Sequence, residues 1–176
     1  TALGQWPWPR AIMANLVDKI TAYQPAVIGF DVLFAEPDRY SAGAFASLIP
    51  GISPQQIEKA KAEHSGDRRF AHAIRSSSVV LAMADVKNSK GINSRLPQVA
   101  PPRISAKGEL PFKRFEDVRL SIPELDQAAA GRGFITEEAE DGIVRRAALF
   151  AHIGKADRDD QVIGLSLPLE TLRVAT

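Results

Sequence analysis

Cysteine is absent from the 176-residue chain. Its absence excludes disulfide bonds, thiolate nucleophiles and zinc sites built from cysteine. The three histidines, His64, His72 and His152, do not share a short metal-binding spacing. A domain of this size needs no disulfide, so the lack of cysteine fits an extracytoplasmic compartment as well as a cytosol.

A net charge of one sign is also lacking, since 22 basic and 21 acidic side chains leave a formal charge of +1. No basic block or basic stripe with interleaved aromatic residues occurs, which argues against a nucleic-acid partner. No apolar run approaches the roughly 18 to 20 residues of a membrane span, and no signal peptide is recognisable. The composition, 45% hydrophobic and 24% charged, is typical of a globular chain. We predict one domain over residues 1–176.

The N-terminal part of the chain carries the clearest pattern. A stiff aromatic segment, Trp6-Pro7-Trp8-Pro9-Arg10, precedes apolar residues that recur at helical spacing until Pro25. Residues Ala26–Phe34 are too few for a typical helix and almost wholly apolar, which predicts a strand buried on both faces. The Trp6 and Trp8 indoles are predicted to plug against the sheet.

The middle of the chain predicts a parallel pair of strands. One helix is expected to begin at Ser53, and a second is expected to begin with Asp67 as its N-cap. Val79–Val86 then predicts a second buried strand. Helices between two strands indicate a βαβ crossover. No period holds from Lys87 to about Asp117, and we expect part of this stretch to be extended along the body or mobile.

The C-terminal part predicts a change of strand direction. Gly131 is expected to end a short helix in the left-handed conformation. Gly133–Glu137 and Ile143–Ile153 predict an antiparallel pair joined through Asp141-Gly142, and Ser166 is expected to cap a last helix. The predicted fold class is α/β, with a mixed, mostly parallel central sheet flanked by helices and an antiparallel hairpin in the C-terminal part.

Four segments together resemble a known family, the CHASE type 2 domains. They are Trp6-Pro7-Trp8-Pro9-Arg10, the run Ala26–Pro37, Asp141-Gly142-Ile143-Val144-Arg145-Arg146, and Ser166-Leu167-Pro168-Leu169-Glu170. Members are extracellular sensory domains of bacterial cyclases, histidine kinases and serine/threonine kinases. The resemblance, from about Gly4 to about Leu172, implies a sensing module and not an enzyme.

The same resemblance implies a location and a partner. The chain would be the periplasmic or extracellular part of a longer membrane protein, with one membrane span before it and further spans after it. Those spans would lead to a cytoplasmic cyclase or kinase. We expect a homodimer in the intact receptor and an unknown small-molecule or physical stimulus, which would act by shifting populations of domain arrangements.

Three carboxylates near the predicted first strand are candidates for ligand binding. Asp31 lies within an apolar run, where an ionised group is costly unless hydrogen bonds or a cation compensate. It either ties the strand to nearby backbone N–H groups or an arginine, or contacts a ligand at the carboxyl edge of the sheet. Glu36 and Asp38 are expected to share that edge, either as a polar loop or as oxygen ligands of a hard cation.

Asp67, Arg145 and Arg146 complete the candidate ligand-binding set. Because Arg145 and Arg146 are adjacent on a predicted strand, one should point to each face. The inner one either pairs with an acid such as Asp31 or Asp67, or grips a carboxylate or phosphate of a ligand. Asp67 is expected to be a helix cap more readily than a ligand-binding group.

No catalytic constellation, metal site or cofactor motif is predicted. Two alternatives to a sensing domain stay open: a metal-assisted hydrolase using Asp31, Glu36 and Asp38, and a ligand-free structural module that dimerises a receptor. The stretch from Tyr40 to Glu63 is longer than the family pattern leads us to expect. We hypothesise that it forms a local lid that gates ligand access.

Overall fold

The computed structural model describes residues 4–63, 65–86, 112–135, 147–154 and 162–176, without the side chains of residues 62 and 63. The helices in these ranges are α1 (Arg10–Thr21), α2 (Ala42–Ala46), α3 (Pro54–Glu63), α4 (Gly66–Arg75), α5 (Pro123–Asp126) and α6 (Leu167–Ala175). The strands are β1 (Ile28–Phe30), β2 (Val79–Asp85), β3 (Lys113–Phe115), β4 (Val118–Arg119), β5 (Gly131–Phe134), β6 (Phe150–Ile153) and β7 (Val162–Leu165). No helix in these ranges is long and apolar enough to cross a lipid bilayer.

Strand β2 is the centre of the first sheet. β1 and β5 both pair with it in parallel, and β4 runs antiparallel to its last residues, Ala84 and Asp85. Residues Val79–Met83 are all buried, as expected for a parallel sheet with both faces covered. The predicted βαβ crossover is confirmed, and so is the second strand, which spans Val79–Asp85 and is fully buried over its first five residues.

A second sheet has the order β3-β6-β7, with β3 parallel and β7 antiparallel to β6. Phe134, at the end of β5, forms a bridge with Ser166, which links the two sheets. Between them lies a small core that includes Met83, Phe115 and Ile153. The rings of Phe115 and Phe134 meet edge to face, 5.2 Å between centroids, a favoured aromatic geometry.

Helices α1 and α4 form the main core with the first sheet. Met13, Ala14 and Val17 recur at helical spacing and face inward from α1. Phe70 and Ile74 do the same from α4, at a spacing of four residues. These apolar stripes bring the two helices into contact with each other and with the first sheet.

Helix α6 packs against β5, β2 and β1, and two glycines permit its close approach. A Cβ on Gly131 would lie 2.3 Å from Glu170 Oε1, and one on Gly133 would lie 2.3 Å from Leu167 Cα. The expected left-handed helix stop at Gly131 is wrong, because Gly131 begins strand β5 without a positive φ. The structural reason for this glycine is the closeness of α6.

A buried carboxylate holds α6 in register with β5. Glu170 accepts from Arg173 Nε and Nη2 at 2.7 and 2.8 Å and from the backbone N–H of Arg132 at 3.3 Å. The hydrogen bond to Glu170 raises the pKa of Arg173 above its ordinary value. Ser166 occupies the expected N-cap position, yet its hydroxyl makes no capping bond and has no partner among the described residues.

The first strand is shorter than expected. We predicted a buried strand over Ala26–Phe34, but β1 ends at Phe30 and Gly29 is exposed. Beyond Phe30, the edge of β2 that pairs with β1 pairs instead with β4. The chain after Phe30 therefore runs free of the sheet and is available to build a cleft.

Another expectation needs correction. The antiparallel hairpin of the C-terminal part is present, but β6 pairs with β7 and not with Gly133–Glu137. The described part of that segment lies in β5, which pairs in parallel with β2. Within the aperiodic stretch Lys87–Asp117, part of which was expected to be extended, Lys113–Phe115 forms β3 through pairing with the distant β6. The rest of the interval up to residue 111 lies outside the described residues.

The stretch between Tyr40 and Glu63 contains α2 and α3, which pack against each other. Ser41 caps α2 by accepting from the N–H of Ala44. Ser53 and Gln56 exchange hydrogen bonds at the start of α3, which is a capping-box arrangement. The stretch between Tyr40 and Glu63 is therefore largely two helices, and its role as a lid stays a hypothesis.

Candidate ligand-binding cleft

A buried arginine organises the region where α1 begins. Arg10 Nε lies 3.3 Å from Asp67 Oδ1, and its Nη2 donates to the carbonyl of Glu36 at 3.0 Å. Its guanidinium carbon stands 4.4 Å from the centroid of the Phe34 ring, within the range of a cation–π contact. The arginine thus ties the first helix to the loop after β1 and to the start of α4.

Asp38 and Asp67 complete this buried network. Asp38 Oδ2 accepts from the backbone N–H of Arg10 at 3.2 Å, and Oδ1 accepts from that of Tyr40 at 3.0 Å. Asp67 Oδ2 accepts from the N–H of Asp38 at 2.9 Å. All four carboxylate oxygens are therefore engaged, which is what makes burial of two acids tolerable.

Gly66 is required beside the network. A Cβ at this position would lie 2.3 Å from Asp38 Oδ2 and 3.2 Å from Arg10 Cβ. The N-cap of α4 is Ser65, whose hydroxyl accepts from the N–H of Arg68 at 3.1 Å. The predicted capping role of Asp67 is wrong, because its carboxylate turns away to Arg10 and the Asp38 backbone.

A cleft of about 450 Å³ opens above this network. Its walls are the segment Trp6–Trp8, the chain from Val32 to Tyr40, and Arg119 of β4, with Arg10 at its base. The rings of Trp6 and Trp8 meet edge to face, 5.8 Å between centroids. A volume of this size is within the range of small-molecule sites in proteins.

Charged side chains stand at the mouth of the cleft. Glu36 is 80% exposed and Arg39 63% exposed, and their closest charged atoms are 3.9 Å apart. Arg119 is exposed and forms no ion pair or hydrogen bond through its side chain with the described residues. Such loosely held arginines keep their donors for another group.

The predicted site residues divide into three groups. Glu36 and Asp38 both line the cleft, and Asp67 supports it from behind through Arg10. Asp31 directly follows β1 but is exposed and outside the cleft lining. Its expected burial is wrong, because β1 ends before it. Arg145 and Arg146 lie outside the described residues, so their ligand-binding role stays a prediction.

The alternative of a metal-assisted hydrolase finds no support in this geometry. Within the described part of the chain, no group of three or more acidic or histidine side chains is placed to hold a metal ion. Asp38 already uses both carboxylate oxygens on backbone N–H groups, and Asp31 lies apart from the cleft. The three carboxylates therefore do not converge.

Sequence reasoning missed three arginines of this region, Arg10, Arg39 and Arg119. Arg10 follows a Trp-Pro-Trp-Pro segment at the first position of an amphipathic helix, where a cation is unusual. This unusual position was the signal by which sequence reasoning could have found Arg10. The two tryptophans were expected to plug against the sheet. Trp8 does pack partly against the main core, whereas Trp6 stays 51% exposed at the cleft.

Comparison with known proteins identifies the family. The family model described as CHASE2 domain matches residues 1–176. Searches of curated proteins and of solved structures each found no significant match. CHASE2 domains are extracellular, non-catalytic sensory domains of signalling receptors. The match spans the whole chain, and the chain therefore belongs to the CHASE2 family.

Proposed function

We propose that this chain senses a stimulus outside the cytoplasm for a bacterial transmembrane receptor and relays it through membrane helices to a cytoplasmic cyclase or kinase. Family membership supports the sensing role. One structural observation supports a location for this role: the N-terminal segment Trp6–Trp8 and the loop after β1 line the same cleft. A ligand there would contact both.

The buried network supplies the mechanical link in this proposal. The loop wall is tied to the first residue of α1 by Asp38 and by the Glu36 carbonyl. A ligand that closes the two walls would shift the position of Trp6–Trp8 relative to α1, and the preceding chain would follow. Only a ligand that binds one arrangement better than another changes their populations.

Because these 176 residues contain no cysteine, a single thiol can be placed in this domain of the full-length receptor and compared with the unsubstituted receptor. Arg39→Cys places a thiol at the cleft mouth, and Tyr23→Cys places one at a position that is 89% exposed and outside the cleft lining. Intact cells are treated with a membrane-impermeant maleimide, and labelling and receptor output are both measured. We expect both variants to be labelled and only Arg39→Cys to change output on labelling.

Each readout can contradict one part of the proposal. If neither thiol reacts in intact cells although both react in lysed cells, the extracytoplasmic location is wrong. If both react and output is unchanged, the cleft is not coupled to signalling.

We also propose that the domain works as a homodimer in the intact receptor, as the family resemblance implies. Light scattering of the detergent-solubilised full-length receptor measures its mass. A mass of one protomer over the working concentration range would contradict this.

A further inference from the structure

We infer that the cleft recognises a small organic monoanion, a carboxylate carried on an apolar body. This inference rests on the proposed sensing function and specifies its ligand class. Three sets of groups carry it: the arginine donors around the cleft, the state of its acidic groups, and the two indoles of its wall.

Hydrogen-bond donors at the cleft outnumber free acceptors. Arg39 and Arg119 are exposed at its mouth. Arg10 uses Nε and Nη2 on Asp67 and Glu36, whereas its Nη1 bonds to no described residue. Guanidinium groups bind carboxylates through paired, charge-assisted hydrogen bonds. The cleft is therefore suited to a ligand that offers negatively charged oxygen.

The acidic groups limit how much negative charge the ligand can bring. Asp38 and Asp67 are buried, and their oxygens are already occupied by N–H groups. Asp67 pairs with Arg10, and Glu36 stands 3.9 Å from Arg39, which leaves Arg119 as the cleft arginine without an acidic partner among the described residues. A second negative charge on the ligand would meet no further unpaired cation among the described cleft residues. A monoanion matches better than a phosphate or a dicarboxylate.

The same acids argue against a cationic ligand. An aromatic pair such as Trp6 and Trp8 can bind an ammonium group. Of the cleft acids, however, only Glu36 is exposed, and Arg39 stands beside it. The indoles are therefore better suited to contact the apolar part of the ligand. They bury a large surface there at a small cost in conformational entropy. This surface favours an aromatic or branched group.

The tryptophans supply their own readout. The chain contains two tryptophans, and both line the cleft. Fluorescence of the purified chain, excited at wavelengths where phenyl compounds do not absorb, is titrated with 3-phenylpropionate, neutral 3-phenylpropanol and cationic phenethyltrimethylammonium. These probes share a phenyl body and differ in charge. We expect a Kd for 3-phenylpropionate about tenfold or more below that of either other probe.

Two variants test the assignment of the carboxylate. Arg119→Gln should raise the Kd of 3-phenylpropionate about fivefold and leave that of 3-phenylpropanol within about twofold. Arg75→Gln removes an exposed arginine from the last turn of α4, outside the cleft lining, and serves as the matched control for net charge. It should change neither value.

The outcomes separate the ligand class from the sensing role. Equal affinity for the anion and the alcohol, tighter binding of the cation, or no binding of any probe overturns the monoanion assignment. The thiol-labelling experiment on the receptor decides the sensing role by itself. A positive labelling result with no binding of 3-phenylpropionate leaves a sensor with a different ligand class.

Discussion

The segment from Glu36 to Tyr40 has two sides that differ in how their charges are held. On the inner side, Asp38 is buried and each of its oxygens accepts a backbone N–H. On the outer side, Glu36 and Arg39 are exposed and 3.9 Å apart. The difference teaches that charge in this segment serves two purposes. Buried charge fixes the backbone, and exposed charge stays available to a ligand.

Desolvation explains why the two sides must behave differently. Removing one partner from a buried pair leaves an uncompensated charge, which is costly because water cannot replace the lost contact. An exposed pair loses little, since water and salt already screen it. Inner substitutions should therefore affect folding, and outer substitutions should affect recognition.

The largest effect is expected from Asp67→Ala. It leaves the Arg10 guanidinium and the Asp38 N–H without their acceptor in a buried site. We expect the free energy of unfolding to fall by about 3 to 5 kcal/mol, measured by urea denaturation. Asp18→Ala, at an exposed position of α1, is the control and should change it by less than about 0.5 kcal/mol. Similar losses for both variants would refute a structural role of the network.

A smaller effect on the same side is expected from Gly66→Ala. Alanine favours helix, but its Cβ would collide with Asp38 Oδ2 and force the carboxylate to move. We expect a net loss of about 1 to 3 kcal/mol, again by urea denaturation. The penalty should shrink in an Asp38→Ala background, where the colliding oxygen is gone. An equal penalty in both backgrounds would place the strain elsewhere.

The smallest effect on stability is expected on the outer side. Glu36→Gln removes the charge beside Arg39 and should change the free energy of unfolding by less than about 0.5 kcal/mol. If the cleft binds an anion, the same substitution should strengthen binding of 3-phenylpropionate about twofold, because it removes a like charge. Tryptophan fluorescence measures this. Weaker binding would mean that Glu36 contacts the ligand favourably.

Local patterns were sufficient for several parts of the fold. Apolar spacing before Pro25 predicted the helix α1, and the apolar run at Val79 predicted the central strand. These signals are strong because the whole hydrophobic pattern lies within one short stretch of chain. Three residues of β3 carried no such signal, since their partner β6 lies far along the chain.

The candidate site was predicted only in part. Glu36 and Asp38 were placed at the edge of the sheet and do line the cleft. Asp31 was expected to be buried because it sits in an apolar run, yet the chain leaves the sheet one residue earlier. Asp67 pairs with Arg10, which was not predicted, whereas the expected pairing of Arg145 or Arg146 with an acid such as Asp31 or Asp67 stays a prediction. Side-chain partners depend on long-range packing, which composition and spacing do not encode.

The sequence by itself determined the α/β class, the parallel pair at its centre and the family. Periodicity is sufficient for the first two, and the resemblance of four short segments indicated the family. Only the tertiary structure decided which charges are buried and which are exposed. Arg10, Asp38 and Asp67 come from three separate elements. Whether a charge is satisfied or available depends on the distance and desolvation that result when those elements pack together.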